Sequence, residues 1–211
     1  MQSIPSTSPF YNGQGKTKSS SLLVDALQSI IIAVFVCTVI YLFIATPNQV
    51  AGESMQPSFQ DGQLLLTNKI IQWFGDTEVG KNIGLAYQRG DVVVFQRPGE
   101  RDFIKRIIGL PGEKISIKNG NVYINGSQLT EEYIPSEVRT NGGTFLETGD
   151  EFTIPEKSYF VMGDNRTNSE DSRYDEIGFV SRDWMKGKVV MRYWPPRDFG
   201  IIGSGVTKLE E

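Results

Sequence analysis

The sequence predicts a mostly β protein, an antiparallel β-sheet or partly closed barrel domain behind one N-terminal transmembrane helix. Two observations carry this. Ala26 to Ala45 is a run of twenty residues with no charge, which as a helix reaches about 30 Å and matches the hydrocarbon core of a bilayer. From Thr46 onward the helical period gives way to short apolar runs separated by Gly, Pro and Asn, the pattern of strands and turns.

Residues 1–21, Ser-rich and punctuated by Pro5 and Pro9, read as a disordered cytoplasmic tail. Residues 22–45 form the anchor helix, with Asp25 placed to cap its first turn. Lys16 and Lys18 precede the apolar run, whereas the first basic residue after it is Lys69. The positive-inside rule therefore leaves the amino terminus cytoplasmic and makes residues 46–211 an extracytoplasmic β domain. A buried core helix is one alternative and a cleaved secretory signal the other. Against the signal, the run is long and no small-x-small site follows, because Phe43 stands two positions before Ala45 and Gln49 two before Ala51.

Within the domain, strands are expected over Gly62 to Thr67, Asp91 to Phe95, Phe103 to Leu110, Ile115 to Lys118, Asn121 to Asn125, Glu151 to Ile154, Ser158 to Met162 and Lys188 to Trp194. Asn119-Gly120 marks a two-residue hairpin. Consecutive apolar residues such as Val92-Val93-Val94 point to strands buried on both faces. Residues 70–89, with Ile70, Ile71, Trp73 and Phe74, suit either a loop on the membrane surface or an aromatic share of the core. Residues 127–150 read as a polar excursion, and the tail after Arg197 as loosely held.

Composition narrows the chemistry. A hydrophobic fraction of 39% with 22% charged residues suits one ordinary domain plus an accessory segment. A net charge of -4 without a Lys/Arg-rich run argues against nucleic acid as a partner. With no histidine, Ser-His-Asp triads, Cys-His proteases and His-liganded metal sites are excluded. The one cysteine, Cys37, lies inside the apolar run, so no disulfide forms within the chain. Neither metal nor cofactor is expected.

Three stretches carry chemistry. Ser54 lies in Val50-Ala51-Gly52-Glu53-Ser54-Met55-Gln56-Pro57-Ser58-Phe59. A serine hydroxyl needs a base, and here the base must be lysine or a carboxylate. Lysine serves if burial pulls its pKa down from about 10.4 toward neutrality. Phe103-Ile104-Lys105-Arg106-Ile107-Ile108 supplies one. On a strand, Lys105 shares a face with Phe103 and Ile107, and Arg106 shares the other with Ile104 and Ile108. The bland reading is an edge lysine that snorkels to water. The third stretch, Gly163 to Gly178, contains Ser169, Asp171 and Arg173, which in an extended chain point to one side. A carboxylate beside Lys105 raises its pKa, so Asp171 should pair with Arg173 and leave the Ser169 hydroxyl to orient the amine. A solvated loop with surface ion pairs is the alternative.

Together these stretches resemble the type I signal peptidases (leader peptidases) in their single-anchor form. The resemblance spans about residues 22–194 and rests on Gly-Glu-Ser-Met-Gln-Pro-Ser at 52–58, Arg-Gly-Asp-Val-Val-Val-Phe at 89–95, Lys-Arg-Ile-Ile-Gly-Leu-Pro-Gly-Glu at 105–113, and Gly-Asp-Asn-Arg with Asn-Ser-Glu-Asp-Ser-Arg at 163–173. It implies a membrane-bound serine endopeptidase that removes signal peptides from preproteins after small residues, in an Ala-x-Ala pattern. Ser54 is then the nucleophile and Lys105 the general base. Ser169 hydrogen-bonds the lysine, Asp171 and Arg173 form a salt-linked pair, and Met55 and Ile104 wall the pocket for alanine. The partners are then signal peptides and the lipid bilayer, in a bacterial plasma membrane or a thylakoid, with no cofactor; the sequence leaves the oligomeric state open, a monomer being the expectation. The apolar surface of the β domain then rests on the outer membrane face.

Two departures stand out. Gly52 occupies the position where some members carry an oxyanion-donating serine, and Tyr174-Asp175-Glu176-Ile177 lengthens the loop before Gly178. Rival readings are a non-catalytic membrane-tethered β module that binds exported peptides, and carboxylate chemistry at Asp164 and Asp171.

Overall fold

A computed structural model describes residues 18–75 and 77–210. The tail expected over residues 1–21 lies outside the described residues as far as residue 17. The chain divides into two compact units, one ending at Ile40 and the other running from Tyr41 to Glu211.

The first unit is helix α1 (Lys18–Val39), followed by a π-helical turn over Ile40–Ile44. Because α1 starts at Lys18, Asp25 sits inside the helix rather than capping it as expected. Its backbone carbonyl accepts the Ser29 hydroxyl, and the Thr38 hydroxyl bonds to Val34 O; such i−4 bonds keep short polar side chains satisfied in an apolar helix. Leu22–Ile44 is, among the described residues, the one helix long and apolar enough to cross a membrane.

The second unit contains two antiparallel sheets. Its strands are β1 (Ala45–Gln49), β2 (Leu64–Asn68), β3 (Val92–Gln96), β4 (Asp102–Gly109), β5 (Lys114–Lys118), β6 (Asn121–Ile124), β7 (Ser127–Glu131), β8 (Glu151–Thr153), β9 (Ser158–Met162), β10 (Val180–Ser181), β11 (Met185–Trp194), β12 (Gly200–Ile201) and β13 (Thr207–Leu209). The larger sheet runs β1-β2-β11-β3-β4-β9-β10 with β12 added to β11, and the smaller runs β13-β7-β6-β5-β8.

Strand β3 explains the uninterrupted valines. Val92 and Val94 pack with Met55, Phe59 and Leu65 on one face, while Val93 and Phe95 pack with Ile107 and Val161 on the other. A third cluster, with Ile108, Phe160 and Met162 against Ile115, Ile117 and Ile124, joins the two sheets. The hairpin turn at Asn119-Gly120 has positive φ at both residues, 52° and 78°, as the mirror-image turn between twisted strands requires.

Four features depart from the sequence reading. Strand β1 was hidden by Pro47 and Asn48, which its place at the sheet edge tolerates. Strand β7 lies inside the expected polar excursion, because only Leu129 of its five residues is buried. Residues 70–89 divide their roles: α2 (Ile70–Phe74) and α3 (Glu78–Asn82) form, Ile71 and Tyr87 enter the core, and Trp73 and Phe74 remain 57% and 54% exposed. The tail after Arg197 is not loose. It adds β12 to β11 and β13 to β7, and so ties the sheets together.

Candidate active site

The loop between β1 and β2 carries Ser54. It is closed at its neck by Val50 N donating to Gln63 O and Gly62 N donating to Val50 O, both at 2.9 Å. Met55 and Phe59 are buried beneath it and pin it to the core. Gly52, at φ +87° with no heavy atom near its missing Cβ, turns the chain where an L side chain is strained. Its N-H donates to Asp61 Oδ1 at 2.7 Å.

Strand β4 supplies Lys105, which pairs with Val93 of β3. Its Nζ donates to Ser54 Oγ at 2.7 Å. The residue is 4% exposed, and burial lowers its pKa from 10.5 to about 8. Asp171 and Glu170 push the other way, and Arg101 and Arg173 assist the lowering. The amine does not snorkel to water. An amine in this state is partly neutral near neutral pH, so its lone pair can take a proton from the adjoining hydroxyl.

The segment Gly163 to Gly178 is a series of turns rather than an extended strand, so side-chain alternation does not organise it. Ion pairing does. Asp171 is bound by Arg173 through Nε at 2.8 Å and Nη2 at 2.9 Å, and it also accepts Gly163 N at 3.0 Å. Arg173 Nη1 donates to Arg166 O at 2.8 Å. The loop is fixed to the Ser54 loop by Asn165 N donating to Ser54 O at 3.0 Å.

Ser169 departs from expectation. Its hydroxyl is buried but has no hydrogen-bond partner among the described residues, so the anticipated bond to Lys105 is not formed. Lys105 turns to Ser54 instead. Gly163 makes this packing possible, since a Cβ there would lie 2.2 Å from Ser169 Oγ and 2.4 Å from Ser54 O.

Sequence reading missed the second layer. Arg106, next to Lys105, is buried and bound to Asp164 through Nε at 2.9 Å and Nη2 at 2.6 Å. Burial opposes its charge, yet the bond and charge of Asp164 outweigh burial and raise its pKa. Its guanidinium lies 3.9 Å from the centroid of Tyr133. Arg166 pairs with Glu131 on β7 and with Thr140. The only hint in the sequence was Arg106 in an otherwise apolar strand. The pairing of Asp164 with Arg106 and of Asp171 with Arg173 leaves neither carboxylate available as an acid-base pair, which removes the rival carboxylate chemistry.

A cleft of about 260 Å³ opens beside Ser54 and Lys105, lined by Val50, Ala51, Met55 and Ile104 among others. Both residues expected as pocket walls line it. Strand β4 pairs with β3 from Asp102 to Arg106 but with β9 only from Arg106 to Gly109. Residues 102–105, which line the cleft, thus present one strand edge unpaired among the described residues. That edge can accept an extended peptide.

A family model described as signal peptidase, peptidase S26, matches residues 23–194. The chain is 33% identical over 183 residues to a signal peptidase I of Bacillus amyloliquefaciens, covering 85% of this chain and 92% of that protein. It is 33% identical over 189 residues to a signal peptidase IB of Staphylococcus aureus, covering 84% and 92%. A crystal structure of a signal peptidase I from Enterococcus faecalis is similar to 48% of the chain and 95% of that structure at 33% identity, with a TM-score of 0.38.

Proposed function

We propose, on the premise that the chain belongs to the signal peptidase family, peptidase S26, and is a serine peptidase that removes signal peptides, that Ser54 and Lys105 are its catalytic dyad. The observation that carries the assignment is the 2.7 Å contact between Ser54 Oγ and a Lys105 amine lowered to about 8. Neutral Lys105 takes the Ser54 proton as Oγ attacks the scissile carbonyl, and the resulting lysinium protonates the leaving amine. Water, deprotonated by the same amine, then hydrolyses the acyl-enzyme.

The substrate adds as a strand to the free edge of Asp102–Lys105. Met55 and Ile104 close the cleft to large side chains, which selects alanine and similar residues in an Ala-x-Ala pattern. The Ser54 N-H stabilises the oxyanion. Gly52 cannot assist, because it has no side chain and its N-H is engaged by Asp61. Ser169 packs beside the dyad, and Asp171 with Arg173 holds the loop.

The helix Leu22–Ile44 anchors the protein with its amino terminus in the cytoplasm and the β unit outside, in a bacterial plasma membrane or a thylakoid. Lys69 N bonds to Ile44 O at 2.8 Å, so α2 starts where the span ends. Exposed Trp73 and Phe74 then rest at the lipid interface, where aromatic rings are favoured.

Purified protein in detergent is expected to cleave a preprotein or an Ala-x-Ala peptide. Ser54→Ala and Lys105→Ala should each lower turnover by about 10³-fold or more. Full activity in both variants would defeat the assignment. A peptide-binding module without chemistry predicts binding, no turnover, and indifference to Lys105→Ala.

A further inference from the structure

The family match ends at residue 194, yet the chain continues through two further strands that return to the site's second layer. Between β12 and β13 the strap Gly203–Val206 crosses the Gly90-Asp91 turn. Gly205 N donates to Gly90 O at 2.8 Å, and the same carbonyl accepts Arg106 Nη1 at 2.8 Å. Gly90 has φ +86°, and a Cβ on it would lie 2.2 Å from Gly205 O. A Cβ on Gly205 would lie 2.6 Å from Arg106 Nη1 and 2.5 Å from the Tyr133 ring. The two glycines thus pack backbone to backbone over the guanidinium.

Side chains tie the strap on both sides. The Ser204 hydroxyl donates to Asp91, which Lys188 also binds at 2.6 Å. Lys208 binds Glu132 at 2.6 Å, and Glu132 N donates to Val206 O.

We infer that this carboxyl-terminal strap is a positioning element for the catalytic loop, with Gly205 as the residue that seats Arg106. The path is short, with close packing at its first link and ion-paired, covalent or hydrogen-bonded contacts after it. Gly205 confines Arg106 between Tyr133 and Asp164, Asp164 precedes Asn165, and Asn165 N holds Ser54 O. Arg106 is also the chain neighbour of Lys105. A displaced guanidinium therefore moves both members of the dyad, and a misplacement of about 1 Å can lower turnover by about 10²-fold.

The inference rests on the dyad proposed above, and its test separates the two. Gly205→Ala forces Arg106 or Tyr133 aside, and Ser204→Ala/Lys208→Ala loosens the strap without a clash in case the first variant folds poorly. Each is compared with the parent for kcat and KM on an Ala-x-Ala peptide, for melting temperature, and for hydrogen-deuterium exchange over residues 163–168. A positioning role predicts a fall in kcat of about tenfold for Gly205→Ala and about threefold for the double variant, KM within about twofold, and faster exchange in the segment. A lowered melting temperature with parental kcat and unchanged exchange overturns it. If the parent itself does not cleave, the dyad assignment falls and the exchange data alone decide the strap.

Discussion

Lys105→Met is expected to abolish activity and stabilise the protein. A group whose pKa is lower in the folded state binds fewer protons there than in the unfolded state, so stability rises with pH between the two values. For Lys105 these are about 8 folded and 10.5 as the ordinary value. Below pH 8 the fold carries the whole penalty, a difference of 2.5 units or about 3 kcal/mol. Methionine matches the length of most of the lysine stem and has no charge to desolvate. Losing the bond to Ser54 costs about 1 kcal/mol, which leaves a net gain of about 2 kcal/mol at pH 7. For a chain of this size that raises the melting temperature by about 4–8 °C. Thermal unfolding in detergent across pH 7 to 10.5 measures it. The gain should be full below pH 8 and fade as pH approaches 10.5. A variant no more stable than the parent at pH 7, or a gap that does not narrow at higher pH, refutes the claim that burial sets the state of this amine.

Peptide turnover should rise about tenfold per pH unit below pH 8 and level off above it, since about one tenth of the amine is neutral at pH 7; a flat profile from pH 6 to 9 contradicts this. Asp171→Asn removes a charge that raises the Lys105 pKa and should shift the rising limb toward acid, whereas Arg173→Met removes one that lowers it and should shift the limb toward alkali. Both variants break a buried pair, so each should also lose about 3–5 kcal/mol of stability by denaturant titration. Trp73→Ser with Phe74→Ser should slow processing of a bilayer-inserted preprotein by about threefold or more while leaving soluble-peptide cleavage unchanged, because these rings are exposed, follow Lys69, whose N-H bonds to Ile44 O, and do not line the cleft at Ser54. Equal losses on both substrates would place the rings in the cleavage step itself.

The sequence displayed the parts of this molecule whose physics is local. A run without charge, an Asn-Gly turn and consecutive valines each constrain their own neighbourhood, and the span, the β5-β6 hairpin and the doubly buried β3 follow from them. Strands β1, β7 and β13 owe their state to partners far along the chain. Pro47, the polar residues of β7 and the Thr-Lys-Leu of β13 have weak strand character and are extended because an edge was waiting for them.

The site divides in the same way. The absence of histidine narrowed the base to lysine or a carboxylate and drew attention to Lys105 among isoleucines, whereas its pairing with Ser54 came from the family resemblance; the structure places the two side chains 2.7 Å apart. The partners of Arg106 were not legible, because Asp164 and Tyr133 meet it only through the return of the loop and the small sheet. The Ser169 hydroxyl shows the limit of arguing from residue type alone. Its place beside the site was foreseen, yet its bond was not made, because Lys105 has one short tether, Ser54, and the loop's course was fixed by Asp171 and Arg173 rather than by strand alternation. Burial of the amine is thus a property of the assembled sheets. The ion pairs around it keep that burial dominant by holding Asp171 against Arg173.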